Sequence, residues 1–170
     1  NTFTVVLDVA PTSDVVLDVS SDDINEATVD KAKLTFTTGN WNTPQTVTVT
    51  GVDDDIDRED NATITIAVND AGSANGFDDL ADQTVAITLT NDDTAGFTVS
   101  ETTLTVDENL GTGSFTVVLN TEPVSDVVLD VLSDDTNEAT VSALSLTFTS
   151  SNWDTPQTVT VTGVDDAIDR

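Results

Sequence analysis

The stretch Phe3–Val19, FTVVLDVAPTSDVVLDV, returns as FTVVLNTEPVSDVVLDV at Phe115–Val131. The offset of 112 then holds to the end of the chain. SDDINEATV at Ser21–Val29 matches SDDTNEATV at Ser133–Val141, and NWNTPQTVTVTGVDDDIDR ending at Arg58 matches NWDTPQTVTVTGVDDAIDR ending at Arg170. Of the 56 positions from Phe3 to Arg58, 42 are identical to their counterparts. Self-similarity of that degree marks a tandem repeat. A period of 112 residues is the size of one sandwich domain. Since the chain also opens without Met, the expectation is a window on a longer array of such domains.

Within one period, seven short runs alternate apolar and polar residues, each bounded by Asp, Asn, Gly, Ser or Pro. In chain order they are FTVSETTLTV (Phe97–Val106), SFTVVLN (Ser114–Asn120), DVVLDVL (Asp126–Leu132), SLTFT (Ser145–Thr149) and QTVTVTGV (Gln157–Val164), completed by ATITIAV (Ala62–Val68) and TVAITLT (Thr84–Thr90) from the first copy. Lettered A to G, they predict an all-β fold: an immunoglobulin-like seven-strand sandwich of two antiparallel sheets with Greek-key links. The predicted inward residues include Leu104 and Val106 on A, Phe115, Val117 and Leu119 on B, Val127, Leu129 and Val131 on C, Leu146 and Phe148 on D, and Val159 and Val161 on E. AGSANGFDDLADQ (Ala71–Gln83) is the one long connection, with room for a single helical turn. The repeat boundary falls near Thr94 and Ala95. Residues 1–94 then hold strands B to G without A, and residues 95–170 hold A to E without F and G. Such open edges invite pairing with neighbouring segments.

Composition narrows the chemistry. The 170 residues include 32 Asp plus Glu against 4 Lys plus Arg, for a net charge of -28, and no His, Cys, Met or Tyr. Imidazole and thiolate metal sites, disulfides and nucleophilic triads built on His or Cys are therefore excluded. The charge repels a phosphate backbone, so no nucleic-acid partner is expected. No apolar run approaches the roughly 18 residues of a spanning helix, so no membrane insertion is expected in this segment. Asp outnumbers Glu 26 to 6 and Thr occurs 32 times, a composition for turns and extended chain rather than helix.

The acids gather where strands end. VDDDIDRED (Val52–Asp60) follows E, NDD (Asn91–Asp93) follows G and VDEN (Val106–Asn109) follows A. In a seven-strand sandwich those three ends share one pole. Carboxylates about 4 Å apart repel by roughly 1 kcal/mol per pair even in water. A hard cation relieves that repulsion, and an all-oxygen donor set in flexible loops selects calcium. The alternative is a set of merely solvated acidic turns on a salt-adapted surface.

In their order and spacing, VDENLGTGSFTV (Val106–Val117), TVTVTGVDDDIDRED (Thr46–Asp60) and AITLTNDDTAGF (Ala86–Phe97) resemble the Calx-β domains of sodium/calcium exchangers, integrin β4 and large bacterial surface proteins. The SDDTNEATV to GVDD stretch is most similar to the bacterial tandem-repeat branch. The resemblance implies calcium ligands at Glu108 after A, at Asp53, Asp54 and Asp55 with Asp165 and Asp166 after E, and at Asp92 and Asp93 after G. The chain departs from the pattern at Arg58 and Asn61, where the exchanger domains carry acids, and at Ala167, the counterpart of Asp55. These departures imply one ion fewer or weaker binding.

Other features take plainer readings. Trp41 and Trp153 are expected as lids on the core rather than sugar platforms. Pro44 and Pro156 start strand E. Glu26 and Glu138, in NEATV, have two readings, a place at the acidic pole or a solvated C–D loop, and the solvated loop is favoured. Paired carboxylates without an aromatic cleft do not make a glycosidase, and the sequon at Asn61 carries little weight.

The function expected is structural, not enzymatic: a repeat segment of a secreted, bacterial surface or matrix rod, stiffened by calcium at the pole of each sandwich. Its partners would be neighbouring repeats or identical subunits of a fibre. The alternative is an adhesive module that grips a glycan or a cell-surface protein.

Overall fold

The structure is a computed structural model that describes residues 1–74 and 76–165. It is all-β, with thirteen strands among the described residues and a single 3-10 turn, Asp70–Gly72. The fold divides into two compact units, Asn1–Asp54 with Glu59–Asn91, and Asp55–Arg58 with the chain from Asp92 onward.

The first unit contains β1 (Thr2–Val5), β2 (Val15–Ser21), β3 (Ala27–Val29), β4 (Lys33–Phe36), β5 (Gln45–Gly51), β6 (Asn61–Val68) and β7 (Gln83–Thr88). They form two antiparallel sheets, ordered β1-β5-β3 and β4-β2-β6-β7. Alternation along each strand decides which side chains leave water, because successive residues point to opposite faces. On β2, Val15, Leu17 and Val19 are buried while Val16 and Asp18 lie on the other face. On β5, Val47 and Val49 are buried between outward Thr residues. With Leu34, Phe36, Ile64 and Ile66 they form one core to which both sheets contribute.

The second unit contains β8 (Phe97–Val99), β9 (Thr112–Leu119), β10 (Val127–Asp130), β11 (Ala139–Val141), β12 (Ser145–Phe148) and β13 (Gln157–Gly163). Its sheets are ordered β11-β13-β9-β8 and β10-β12. Val117, Leu119, Leu146, Phe148 and Val159 are its buried core, and Trp153 packs against it part-buried, as a lid would.

Three local features differ from the expected strand pattern. First, NEATV does not stay a loop: β3 and β11 form there and pair antiparallel with β5 and β13, Ala27 opposite Gly51 and Ala139 opposite Gly163. Second, the predicted strand A is paired only over its first part, where β8 lies beside β9. Leu104–Val106 is not in a strand, and Leu104, expected to face inward, is 37% exposed. Instead, the Leu104 and Val106 side chains occupy the place of a side chain at Gly113. Third, β10 has four residues where its counterpart β2 has seven; among the described residues β2 is held by neighbours on both edges and β10 on one.

Candidate metal centre

In the first unit, three chain segments end close together. The register of β3 on β5 sets Ala27 opposite Gly51, and the Val52 N–H donates to the Glu26 carbonyl at 2.8 Å. Glu26 is thereby brought to the point where β5 runs into the acidic loop. β6 begins at Asn61 opposite Thr88 of β7, and the Leu89 N–H donates to the Asp60 carbonyl at 3.0 Å, which anchors Asp60 at the far end of the same loop. Gly51 lets β5 and the end of the β7 chain approach: a Cβ there would stand 2.6 Å from the Leu89 Cδ2.

As a result, carboxylate oxygens of Glu26, Asp54 and Asp60 lie within 4.8 Å of one another. Glu26 is only 6% exposed, and Asp54 and Asp60 are half-buried. The favoured solvated-loop reading of Glu26 is thus corrected, and its alternative at the acidic end is the one the structure supports: the unanticipated β3 strand pulls it under the acidic loop. Asp60 also lay outside the expected ligand set. The signal that could have found Glu26 was the Ala-Thr-Val following it in both copies, a β-branched run suited to a short strand.

The other expected ligands are placed as follows. Asp53 is exposed beside Asp54. Asp55 is exposed and belongs to the second unit, where its carbonyl accepts the Glu122 N–H at 2.7 Å. Asp92 is exposed and Asp93 half-buried, both in the second unit. Glu108 and Asp165 are exposed, and Asp166 lies outside the described residues.

The second unit has a related backbone arrangement. The Val164 N–H donates to the Glu138 carbonyl at 2.9 Å, as Val52 does to Glu26. Gly163 donates its N–H to the Gly111 carbonyl at 2.9 Å. A Cβ on Gly163 would overlap the Asp107 carbonyl oxygen and come within 3.1 Å of the Glu108 Cα. The Asp107–Gly111 turn is therefore seated on the end of β13. Leu110 in that turn has φ of 56°, a left-handed conformation that costs a side-chain-bearing residue of order 1 kcal/mol or more. The Gly111 N–H to Asp107 carbonyl bond at 2.9 Å closes the turn.

Elsewhere in the first unit, exposed and half-buried acids pin the strands rather than gather. The Thr48 N–H, 2.7 Å from the Asp30 Oδ1, holds that carboxyl below the usual range, with smaller help from Lys31. The Thr63 N–H does the same for Asp22 at 2.7 Å. Asp18 is lowered first by its hydrogen bond with Lys33 and then by the Asn69 side-chain amide.

Chemically, the Glu26, Asp54 and Asp60 group offers oxygen donors only. Such a set fits a hard divalent cation and offers no nitrogen or sulfur to a softer metal. No protein-family model matches this chain, and no curated protein matches it either.

Proposed function

We propose that this chain is a structural repeat segment of an extracellular, bacterial surface or matrix rod, in which calcium ties strand ends together at one pole of each unit. The observation that carries the reading is the grouping of Glu26, Asp54 and Asp60. Glu26 sits before β3, Asp54 after β5 and Asp60 before β6, so one ion held by them would fasten three segments and offset the mutual repulsion of their charges. Repetition supports a spacer role: 42 of 56 compared positions are identical, whereas a specialised binding pocket would draw two copies apart. The order of the acidic motifs supports the finer reading that each unit is an immunoglobulin-like Greek-key sandwich of the Calx-β type. No reaction is assigned to the acids. No helix among the described residues is long and apolar enough to cross a membrane.

An ion that binds only the folded form stabilises it by mass action, by about 2.7 kcal/mol at a hundredfold excess over the dissociation constant. The 170-residue chain is therefore expected to melt higher in millimolar calcium than in chelator, and Glu26→Gln with Asp60→Asn is expected to remove most of the difference. Magnesium at the same concentration serves as the charge-screening control. Equal melting temperatures in calcium and chelator would overturn the proposal, as would an equal shift with magnesium.

A further inference from the structure

Four residues of the connection between β5 and β6, Asp55–Arg58, belong to the second unit, although the residues on either side of them belong to the first. Inside the second unit they accept from two backbone amides. The Glu122 N–H donates to the Asp55 carbonyl at 2.7 Å, and the Ala95 N–H donates to the Asp57 Oδ2 at 2.8 Å. Glu122 lies in the turn between β9 and β10 and Ala95 ahead of β8, so neither amide has a place in a sheet ladder, and each needs another acceptor. Between the two contacts, Ile56 is half-buried and walls one hollow of the unit with Gly96, Thr121 and Pro123. Thr121 is only 6% exposed there. The Arg58 N–H donates to the Ile56 carbonyl at 2.8 Å and closes a three-residue turn.

The three contacts ask different things of the sequence. Position 55 gives a carbonyl, which any residue supplies, position 56 an apolar side chain and position 57 a carboxylate. The second copy keeps what side chains must supply and varies the rest: Ile56 and Asp57 return as Ile168 and Asp169, whereas Asp55 becomes Ala167. A contact through the Asp55 carboxylate would be lost by that change. A contact through its carbonyl is not.

We infer that Ala95, Gly96 and the turn of residues 121–123 form an acceptor surface for the β5–β6 loop of the preceding repeat, and that the surface reads the loop as any residue followed by Ile-Asp. The Glu122 N–H takes the backbone of the first position, the hollow takes the Ile side chain, and the Ala95 N–H takes the Asp carboxylate. Main-chain donors suit this partner. A chain with 4 Lys plus Arg against 32 Asp plus Glu has few cations for an acidic loop, whereas an N–H group bonds a carboxylate without one, and such charge-assisted bonds are the stronger kind. The inference gives the repeat-segment reading its coupling residues and rests on that reading. It draws on no bound ion, so it and the calcium proposal can fail separately.

The test is amide hydrogen exchange on the 170-residue chain in chelator, comparing three single substitutions in the loop. Asp57→Ala is expected to speed exchange at Ala95 about tenfold or more, and Ile56→Ser to do so at both Ala95 and Glu122. Asp55→Ala keeps the carbonyl and is expected to leave both amides within about twofold of their rates in the unaltered chain. Ile64 in β6 is the first-unit reference and is expected to be unchanged in all three. An unchanged Ala95 in Asp57→Ala, or losses in Asp55→Ala equal to those in Ile56→Ser, would overturn the inference. So would exchange at Ile64 that quickens in step with Ala95, which would return the loop to the first unit.

Discussion

Strands β2 and β10 share the sequence VVLD and differ in what surrounds them. In the first unit, Val15, Leu17 and Val19 are buried on a strand flanked by β4 and β6. In the second, the equivalent Val127 and Leu129, with Val131 just beyond the strand, are only part-buried, and β12 is the one strand beside β10 among the described residues. The positions where both units have the same neighbours behave alike: Leu34 and Leu146, and Phe36 and Phe148, are buried in both. Alternation therefore tells a side chain which way to point, but the number of strands around it determines how far it leaves water. The same contrast runs in the other direction at β1 and β9, where the second unit has the neighbour and the better-buried strand.

That contrast can be broken or sharpened by paired substitutions. Phe36→Ala and Phe148→Ala are expected to be equally costly, about 3–5 kcal/mol each, because both rings are fully buried. Local hydrogen exchange in each unit would measure the cost, and a much milder Phe148→Ala would mean that the second unit's core is already open. Leu17→Ala and Leu129→Ala are expected to diverge. The first should cost about 2–5 kcal/mol, the range for a buried Leu, and the second less than half as much. Equal losses in urea titrations of the two variants would show that neighbour number is not what separates β2 from β10.

Gly51 and Gly163 give a smaller difference. A methyl on Gly163 meets the backbone of Asp107, whereas one on Gly51 meets the end of the Leu89 side chain, which can rotate away. Overpacking that cannot relax costs about 1–3 kcal/mol, so Gly163→Ala should lower the melting temperature more than Gly51→Ala. The reverse order would mean that the Asp107–Gly111 turn yields more easily than Leu89.

The smallest effect is acid sensitivity. The Thr48 N–H donates to Asp30, but its counterpart Thr160 donates to the Ser142 hydroxyl at 2.9 Å. A carboxyl whose pKa is lowered by folding stabilises the fold above its unfolded value and loses that contribution as pH falls through the folded value. Since the Asp30 pKa is lowered, acidification below the ordinary carboxylate range should quicken exchange at Thr48 beyond the intrinsic change and leave Thr160 unaffected. Asp30→Ser should abolish the difference between the two amides.

Part of the candidate site was legible because acids at strand ends are a local pattern: of the three grouped residues only Asp54 was among the expected ligands. Asp54 was recognisable from the VDDD run after β5. Glu26 stood only as the less favoured alternative, because its neighbours NEAT read as a polar loop, and only pairing of Ala27–Val29 with β5 draws it under that run. Asp60 was visible within the acidic stretch, but its nearness to Glu26 depends on the Leu89 bond across the end of β6. The grouping joins residues 34 positions apart, from Glu26 to Asp60, a separation that no local spacing rule spans.

By itself, the sequence determined the all-β class, the inward and outward faces of the strands that find partners, the 112-residue offset and the exclusion of His and Cys chemistry. These follow from local geometry and residue chemistry: a period of two, β-branched residues, and functional groups present or absent. Only the tertiary structure decided that NEATV pairs as β3 and β11, that the strand beginning at Phe97 stops at Val99, and that Glu26 is buried beside Asp54 and Asp60. Each of these depends on whether a second segment, distant in the chain, arrives to accept a hydrogen bond or cover an apolar face. Two stretches of nearly the same sequence therefore ended with different burial, because backbone groups and side chains are satisfied by neighbours that lie outside the stretch.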